Sequence, residues 1–313
     1  MKLYIVVPCY NEEEVLQETA ERLKEKLKSL QEKRVISEDS RILFVDDGSQ
    51  DRTWEIINQL HKQDLLFSGV KLSRNRGHQN ALLAGLTVAS KYADTVISMD
   101  ADLQDDINAV DEMLNKYEKG NDIVYGVRSS RQKDTFFKRF TAEGFYKLIN
   151  CLGGEVIYNH ADYRLMSNRA LKALLEFEEV NLFLRGMVPM VGYKSDIVTY
   201  ERGERFAGES KYPLKKMLAF AFEGITSLSI KPIKLIFNLG ILLCVISILA
   251  IVYFLFRHFT GNTVSGWTSL ITSIWFLGGV QLVAIGLVGE YIGKVYLETK
   301  SRPKFIIETI LND

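Results

Sequence analysis

The first 127 residues alternate between short apolar runs and stretches of helical periodicity. Apolar runs of strand length lie at Leu3–Val7, Ile42–Val45, Val70–Leu72, Val96–Met99 and Ile123–Val127. Their β-branched content and near-continuous hydrophobicity predict strands buried on both faces. Between the first two, Val15, Leu16, Thr19, Ala20, Leu23, Leu27 and Leu30 share one face of an amphipathic helix. Further helices are predicted over Thr53–Leu65, His78–Lys91 and Ile107–Lys119. Strand–helix alternation of this kind implies an α/β fold with a mostly parallel sheet covered on both faces.

After Thr135 the pattern changes. Phe137, Phe140, Phe145, Leu148 and Ile149 form an apolar face over residues 135–152, with Lys133, Lys138, Arg139 and Lys147 nearby. Residues 213–229 repeat the theme, with Leu214, Met217, Leu218, Ala221, Ile225 and Leu228 at helical spacing behind Lys211, Lys215 and Lys216. Basic, aromatic-rich amphipathic helices of this type suit a membrane interface. Leu235–Phe256 and Phe259–Gly289 then carry no charged residue. Each exceeds the roughly 20 residues that cross a bilayer, so two transmembrane helices are predicted, about 233–256 and 267–290. Only Arg257 is basic in the joining loop, against Lys231, Lys234, Lys294, Lys300, Arg302 and Lys304 on the outer flanks. The positive-inside rule therefore places both chain ends in the cytosol. The expected organisation is a cytosolic domain over residues 1–230, two spans within 231–292, and a cytosolic tail, 293–313.

Composition adds exclusions. Lys plus Arg and Asp plus Glu each number 39, giving no net charge, and nothing global suggests a nucleic-acid partner. Three widely spaced cysteines, Cys9, Cys151 and Cys244, indicate neither a disulfide framework nor a zinc site. The opening apolar run is too short for a cleavable signal, and Pro8 ends it.

The chemistry gathers where ligands bind such sheets, beyond the carboxyl ends of the strands. Tyr10-Asn-Glu12 follows the first strand, Asp46-Asp-Gly-Ser49 the second and Asp100-Ala-Asp102 the fourth. If the chain stays extended past Met99, then Asp100, Asp102 and Gln104 project to one side. Oxygen ligands of that kind suit Mg²⁺ or Mn²⁺ and leave positions open for phosphate oxygens. Asp46 is expected to close the turn through Gly48, and His78 is expected to be solvated.

Three motifs, Val7-Pro-Cys-Tyr-Asn-Glu-Glu13, Val45-Asp-Asp-Gly-Ser-Gln-Asp51 and Met99-Asp-Ala-Asp-Leu-Gln-Asp105, resemble in order and spacing those of family 2 glycosyltransferases of the GT-A fold. With Ala161-Asp-Tyr-Arg-Leu-Met166, Gly208-Glu-Ser-Lys-Tyr212 and the two spans, the chain looks like a bacterial polyprenyl-phosphate glycosyltransferase. That group is akin to dolichol-phosphate mannose synthase and the GtrB-type glucosyltransferases. The resemblance implies donor contacts at Pro8, Tyr10, Glu12, Asp47, Asp100 and Asp102, with Asp47 reading the uracil edge. It implies a metal, Mg²⁺ or Mn²⁺, on Asp102 and Gln104, and catalytic roles for Asp100, Asp102 and Asp162. It places the acceptor phosphate at Arg128, Arg139, Arg205, Ser210 and Lys211. The implied reaction is inverting transfer of one sugar, glucose or N-acetylglucosamine, from a UDP-sugar to undecaprenyl phosphate at the bacterial inner membrane. Similar enzymes form tetramers. A processive polysaccharide synthase would share the catalytic domain, but no Gln-x-x-Arg-Trp motif occurs and two spans are few for a polymer channel. A non-catalytic, membrane-anchored nucleotide-sugar binder would be separated by its lack of turnover.

Overall fold

The computed structural model describes residues 1–129, 160–180, 182–201, 203 and 267–312, with isolated helical positions between 233 and 249. The two amphipathic helices expected at 135–152 and 213–229, and Arg139, Arg205, Ser210 and Lys211, lie outside the described residues. So does most of the first predicted span.

The five predicted strands and four helices form in the expected order. They are β1 (Leu3–Cys9), α1 (Leu16–Glu32), β2 (Arg41–Asp46), α2 (Thr53–Gln63), β3 (Phe67–Leu72), α3 (His78–Ala89), β4 (Thr95–Ser98), α4 (Ala109–Glu118) and β5 (Ile123–Arg128). Six further elements follow: β6 (His160–Ser167), α5 (Asn168–Leu175), α6 (Leu184–Met190), β7 (Ser195–Tyr200), α7 (Trp267–Thr299) and β8 (Ile307–Leu311). All eight strands join one sheet in the order β7-β5-β6-β4-β1-β2-β3-β8. The central block β4-β1-β2-β3 is parallel, while β6 runs antiparallel to both β4 and β5 and β8 antiparallel to β3. The sheet is thus parallel where donor chemistry was expected and mixed at its flanks.

Every residue of β1 is buried, as a strand covered on both faces requires. Leu3, Ile5 and Val7 pack with Leu16, Leu23, Leu27 and Leu30 of α1, whereas Tyr4 and Val6 pack with Leu82, Leu86 and Ala89 of α3. Full burial of one such aliphatic side chain contributes roughly 1.5–3 kcal/mol, so these two layers fix the strand ends that carry the site. α3 approaches closely because of Gly85. A Cβ there would lie 2.5 Å from methyl carbons of both Val6 and Val45.

The segment expected as a tail, 293–313, instead continues the long helix to Thr299 and then returns to the sheet as β8. β8 covers the otherwise open edge of β3, and Asn312 Oδ1 accepts a hydrogen bond from Ser68 Oγ at 2.9 Å. An exposed β3 edge would present unpaired backbone groups, which this returning strand satisfies. Among the described residues one helical stretch, Leu277–Thr299, is long and apolar enough to cross a membrane.

Candidate active site

Two loops beyond β1 and β2 interlock through the polar residues of the first two motifs. The Asn11 N–H donates to Ser49 Oγ at 3.0 Å, and Asn11 Oδ1 accepts from the Gln50 N–H at 2.9 Å. Glu12 N–H donates to Thr53 Oγ1, and Arg52 N–H to Glu13 Oε2. Much of this motif chemistry therefore builds the floor. Pro8 is buried at the end of β1, whereas Tyr10, just beyond it, is 38% exposed and free to meet a ligand.

Asp46 behaves as expected: its Oδ1 accepts from the Ser49 N–H at 3.2 Å, closing the turn through Gly48. Gly48 has φ +66°, and a Cβ there would meet the Arg74 and Asn75 backbone at 2.6 Å. Glycine lets the β2 loop touch the β3–α3 loop. Asp47 exploits that contact. Its two oxygens accept from the Arg76 and Gly77 N–H groups at 2.7 and 2.9 Å. Burial raises its pKa, and those two hydrogen bonds oppose the rise. Carboxylate oxygens hold two lone pairs each, so this loop tie leaves acceptor capacity for a ligand.

The carboxylates after β4 do not project by strand alternation. The strand ends at Ser98, and residues 101–103 form a turn in which Leu103 adopts φ +57°. The geometry expected for Asp100, Asp102 and Gln104 is corrected accordingly: a left-handed residue folds the segment back on itself. Asp102 Oδ1 accepts from the Gln104 N–H at 3.2 Å, and Gln104 O accepts from the Gly203 N–H at 2.9 Å. Thr19 Oγ1, on α1, lies 2.8 Å from Ala101 O and fastens the turn to the helix below.

Behind this turn is a third carboxylate, Asp105, 3% exposed. Tyr200 Oη donates to its Oδ1, and Arg128 Nη2 lies 3.6 Å from the same atom. Its Oδ2 is buried with no hydrogen-bond partner. Burial, then the charge of Asp100, pushes Asp105 up to about 6. Among the described residues, no three His, Cys, Asp or Glu side chains close into a metal cage. The turn nevertheless fits a divalent cation held by few protein ligands. Asp100 and Asp102 stand half-exposed, both offer oxygen donors, and with buried Asp105 they crowd three carboxylates into one turn. Arg128, expected at the acceptor phosphate, spends one face on Asp105 and Tyr200 and keeps 23% of its side chain exposed.

Asp162 lies on β6, in the middle of the sheet, and is 9% exposed. Its Oδ1 accepts from Arg164 Nη2 at 2.6 Å, and its Oδ2 from Arg185 Nη2 at 3.0 Å and Nε at 3.2 Å. Desolvation alone would raise its pKa, but Arg185, His78 and Arg164 together hold it well below the usual carboxylate range. His78 is the largest departure from expectation. It is not simply solvated: Nε2 lies 3.6 Å from Asp100 Oδ1 and 3.7 Å from Asp162 Oδ2. Burial lowers its pKa, yet the two carboxylates outweigh this and raise it to about 9. His78 thus bridges the β4 turn to β6. Arg185 was also not foreseen, although a single charge within the apolar run Leu182–Met190 was the available signal.

The arrangement is a row of alternating charge, Asp102 and Asp100, then His78, then Asp162 between two guanidiniums, at the carboxyl ends of the parallel strands. Such a row can hold a diphosphate through a cation on one side and orient a polar ring through fixed donors and acceptors on the other. A family model described as glycosyl transferase family 2 matches residues 4–175. The chain belongs to glycosyltransferase family 2. A second model, the GtrB C-terminal hairpin, matches residues 231–295. The glycosyltransferase is 56% identical over 306 residues to a Bacillus subtilis (strain 168) protein described as uncharacterized glycosyltransferase YkoT, covering 98% of this chain and 91% of that one. It is 41% identical to the prophage bactoprenol glucosyl transferase homolog of Escherichia coli (strain K12), covering 99% of both. It is 42% identical to the SfII prophage-derived bactoprenol glucosyl transferase of Shigella flexneri, covering 98% of both.

Proposed function

We propose that the enzyme moves one glucosyl group from a UDP-sugar to a polyprenyl phosphate, undecaprenyl phosphate in bacteria, at the cytosolic face of a membrane. N-acetylglucosamine is the alternative sugar. The observation that carries this reading is near full-length similarity to proteins named bactoprenol glucosyl transferases, joined to a carboxylate row at the donor end of the sheet. Pro8, Tyr10, Glu12 and Asp47 would hold the uridine, and Asp100 and Asp102 the diphosphate side. Asp102 and Gln104 would hold Mg²⁺ or Mn²⁺, which when bound stabilises charge on the departing UDP.

Asp162 is a positioning group in this scheme rather than a base. A carboxylate held well below its usual pKa binds a proton poorly at neutral pH. None is required, because a phosphate monoester with its second pKa near 6 is already largely ionised at neutral pH. The acceptor oxygen attacks the anomeric carbon in line as the bond to the UDP oxygen breaks, inverting the centre. Asp162, fixed by Arg164 and Arg185, would orient the sugar hydroxyls, and His78 would place a donor beside the diphosphate. Arg128, Arg139, Arg205, Ser210 and Lys211 remain the proposed acceptor cradle. Membranes incubated with radiolabelled UDP-glucose, UDP-N-acetylglucosamine and GDP-sugars, with undecaprenyl phosphate added, should yield labelled lipid from UDP-glucose. Label appearing only from a GDP-sugar would overturn the donor assignment.

Sheet membership supports the two-span topology. β7 and β8 belong to one sheet, and α7 leads directly into β8. If α7 crosses the bilayer, its Trp267 end lies on the far side, so the chain between 203 and 267 crosses an odd number of times. Leu235–Phe256 is the charge-free stretch available for that crossing. In a background with Cys151 and Cys244 replaced by serine, a cysteine in the 257–266 loop should react with an impermeant thiol reagent in intact cells. A cysteine at exposed Lys28 on α1 should react only after lysis. Native Cys9 is no guide to sidedness, because it is fully buried. Labelling of the Lys28 position in intact cells would reverse the orientation.

A further inference from the structure

The loop that delivers Arg185 to Asp162 is fastened by the helix that leads out of the apolar segment. Residues 176–183 connect α5 to α6. Near their start, Lys304 Nζ donates to Phe177 O at 2.9 Å. In the middle, the Val180 N–H faces both carboxylate oxygens of Glu298, 2.9 and 2.8 Å away. At the far end, the Leu184 N–H donates to Gln79 Oε1 at 2.9 Å, on the helix that begins with His78. Between these fastenings Leu182, Phe183 and Leu184 are buried, and the next residue is Arg185.

Glu298 lies in the last turn of α7, where a negative side chain opposes the helix dipole. Helix stability therefore does not account for a carboxylate at this position. The Val180 backbone does. A hydrogen bond from a backbone N–H to an ionised carboxylate is roughly twice as strong as a neutral one. Lys304 supports the same junction: burial lowers its pKa, against the raising influence of Glu179, Glu298 and Glu178. It spends its ammonium on a loop carbonyl rather than in water.

We propose that Glu298 is a positioning residue, which anchors the Val180 turn to the end of α7 and thereby fixes where Arg185 meets Asp162. This rests on the role given above to Asp162 and Arg185. It makes the register between the apolar helix and the catalytic domain a determinant of turnover. A misplacement of about 1 Å remote from the chemistry can cost on the order of 100-fold in rate, and Arg185 has that kind of leverage.

The test uses the full-length enzyme. Glu298→Ala should lower kcat by about 10- to 100-fold with the donor KM changed by less than about twofold. Glu298→Gln, which keeps an oxygen acceptor for Val180, should recover most of the loss. Combined with Arg185→Ala, Glu298→Ala should add no further loss, because both act through one guanidinium. Glu308→Ala, on β8, breaks a surface pair with Lys71 of β3 and should leave kcat unchanged. Losses that multiply in the double variant, or an unchanged kcat in Glu298→Ala, would overturn the proposal. Hydrogen exchange gives a readout independent of turnover: the amides of Val180, Leu184 and Arg185 should exchange faster in Glu298→Ala while those of β1 and β2 do not. Faster exchange throughout the domain would mean general loosening and would also overturn it. Should the wild-type enzyme transfer no sugar to lipid phosphate, the functional reading fails, while the exchange data still decide the anchor.

Discussion

Asp162→Ala should abolish sugar transfer and lower the stability of the catalytic domain by about 3–5 kcal/mol in the same variant. The two effects share one cause. Arg164 is 3% exposed, and Asp162 bonds it at 2.6 Å. Deleting the carboxylate strands a guanidinium in the middle of an eight-stranded sheet, between β5 and β4. Arg185, with 32% of its side chain exposed, can turn to water, so Arg185→Ala should cost far less stability while still losing rate. Asp162→Asn keeps the volume and one acceptor and should fall between the two in stability. Chemical denaturation beside the transfer assay separates these outcomes. If Asp162→Ala unfolds like the wild type, then Arg164 finds another partner and the pair is not structural.

The parallel core was legible because its signal is local. Strands buried on both faces read as apolar runs, and the α1 stripe predicted from Leu16 to Leu30 is the face that the sheet covers. The donor end was legible for the same reason, since strand ends are where such sheets place ligands. Elements whose logic depends on distant partners were not. β6 reads His160-Ala-Asp-Tyr-Arg-Leu-Met-Ser167, with two charges that hydropathy assigns to a surface. They are tolerated in a central strand only because Asp162 and Arg164 neutralise each other, with Arg185 arriving from α6. β8 is short, follows a long apolar helix, and acquires meaning only from the open edge of β3. The turn after β4 misled for a subtler reason. Alternation holds while a strand lasts, and nothing in Met99-Asp-Ala-Asp announces that the strand has ended or that Leu103 takes a left-handed conformation. His78 heads a helix, a common place for a polar residue, and its two partners come from β6 and the β4 turn.

Asp102→Asn should lower transfer by about 1000-fold, equivalent to about 4 kcal/mol of transition-state stabilisation, and should leave the unliganded fold intact. The contrast with Asp162 follows from the surroundings. Asp102 is half-exposed, and its charge joins those of Asp100 and buried Asp105 in one turn. Neutralising one of three neighbouring carboxylates relieves repulsion, so melting of the variant without ligands should match or slightly exceed that of the wild type. The loss should appear on ligand addition. UDP with Mn²⁺ or Mg²⁺ stabilises a folded state in proportion to its affinity, by about 2.7 kcal/mol at 100 times the dissociation constant. Wild-type enzyme should show that upward shift in melting temperature and lose it in EDTA, whereas Asp102→Asn should show little of it under either condition. Full transfer activity of the wild type in EDTA would remove the cation from the reaction. The three carboxylates would then need another counter-charge, for which protonated His78, between Asp100 and Asp162, is the group in place.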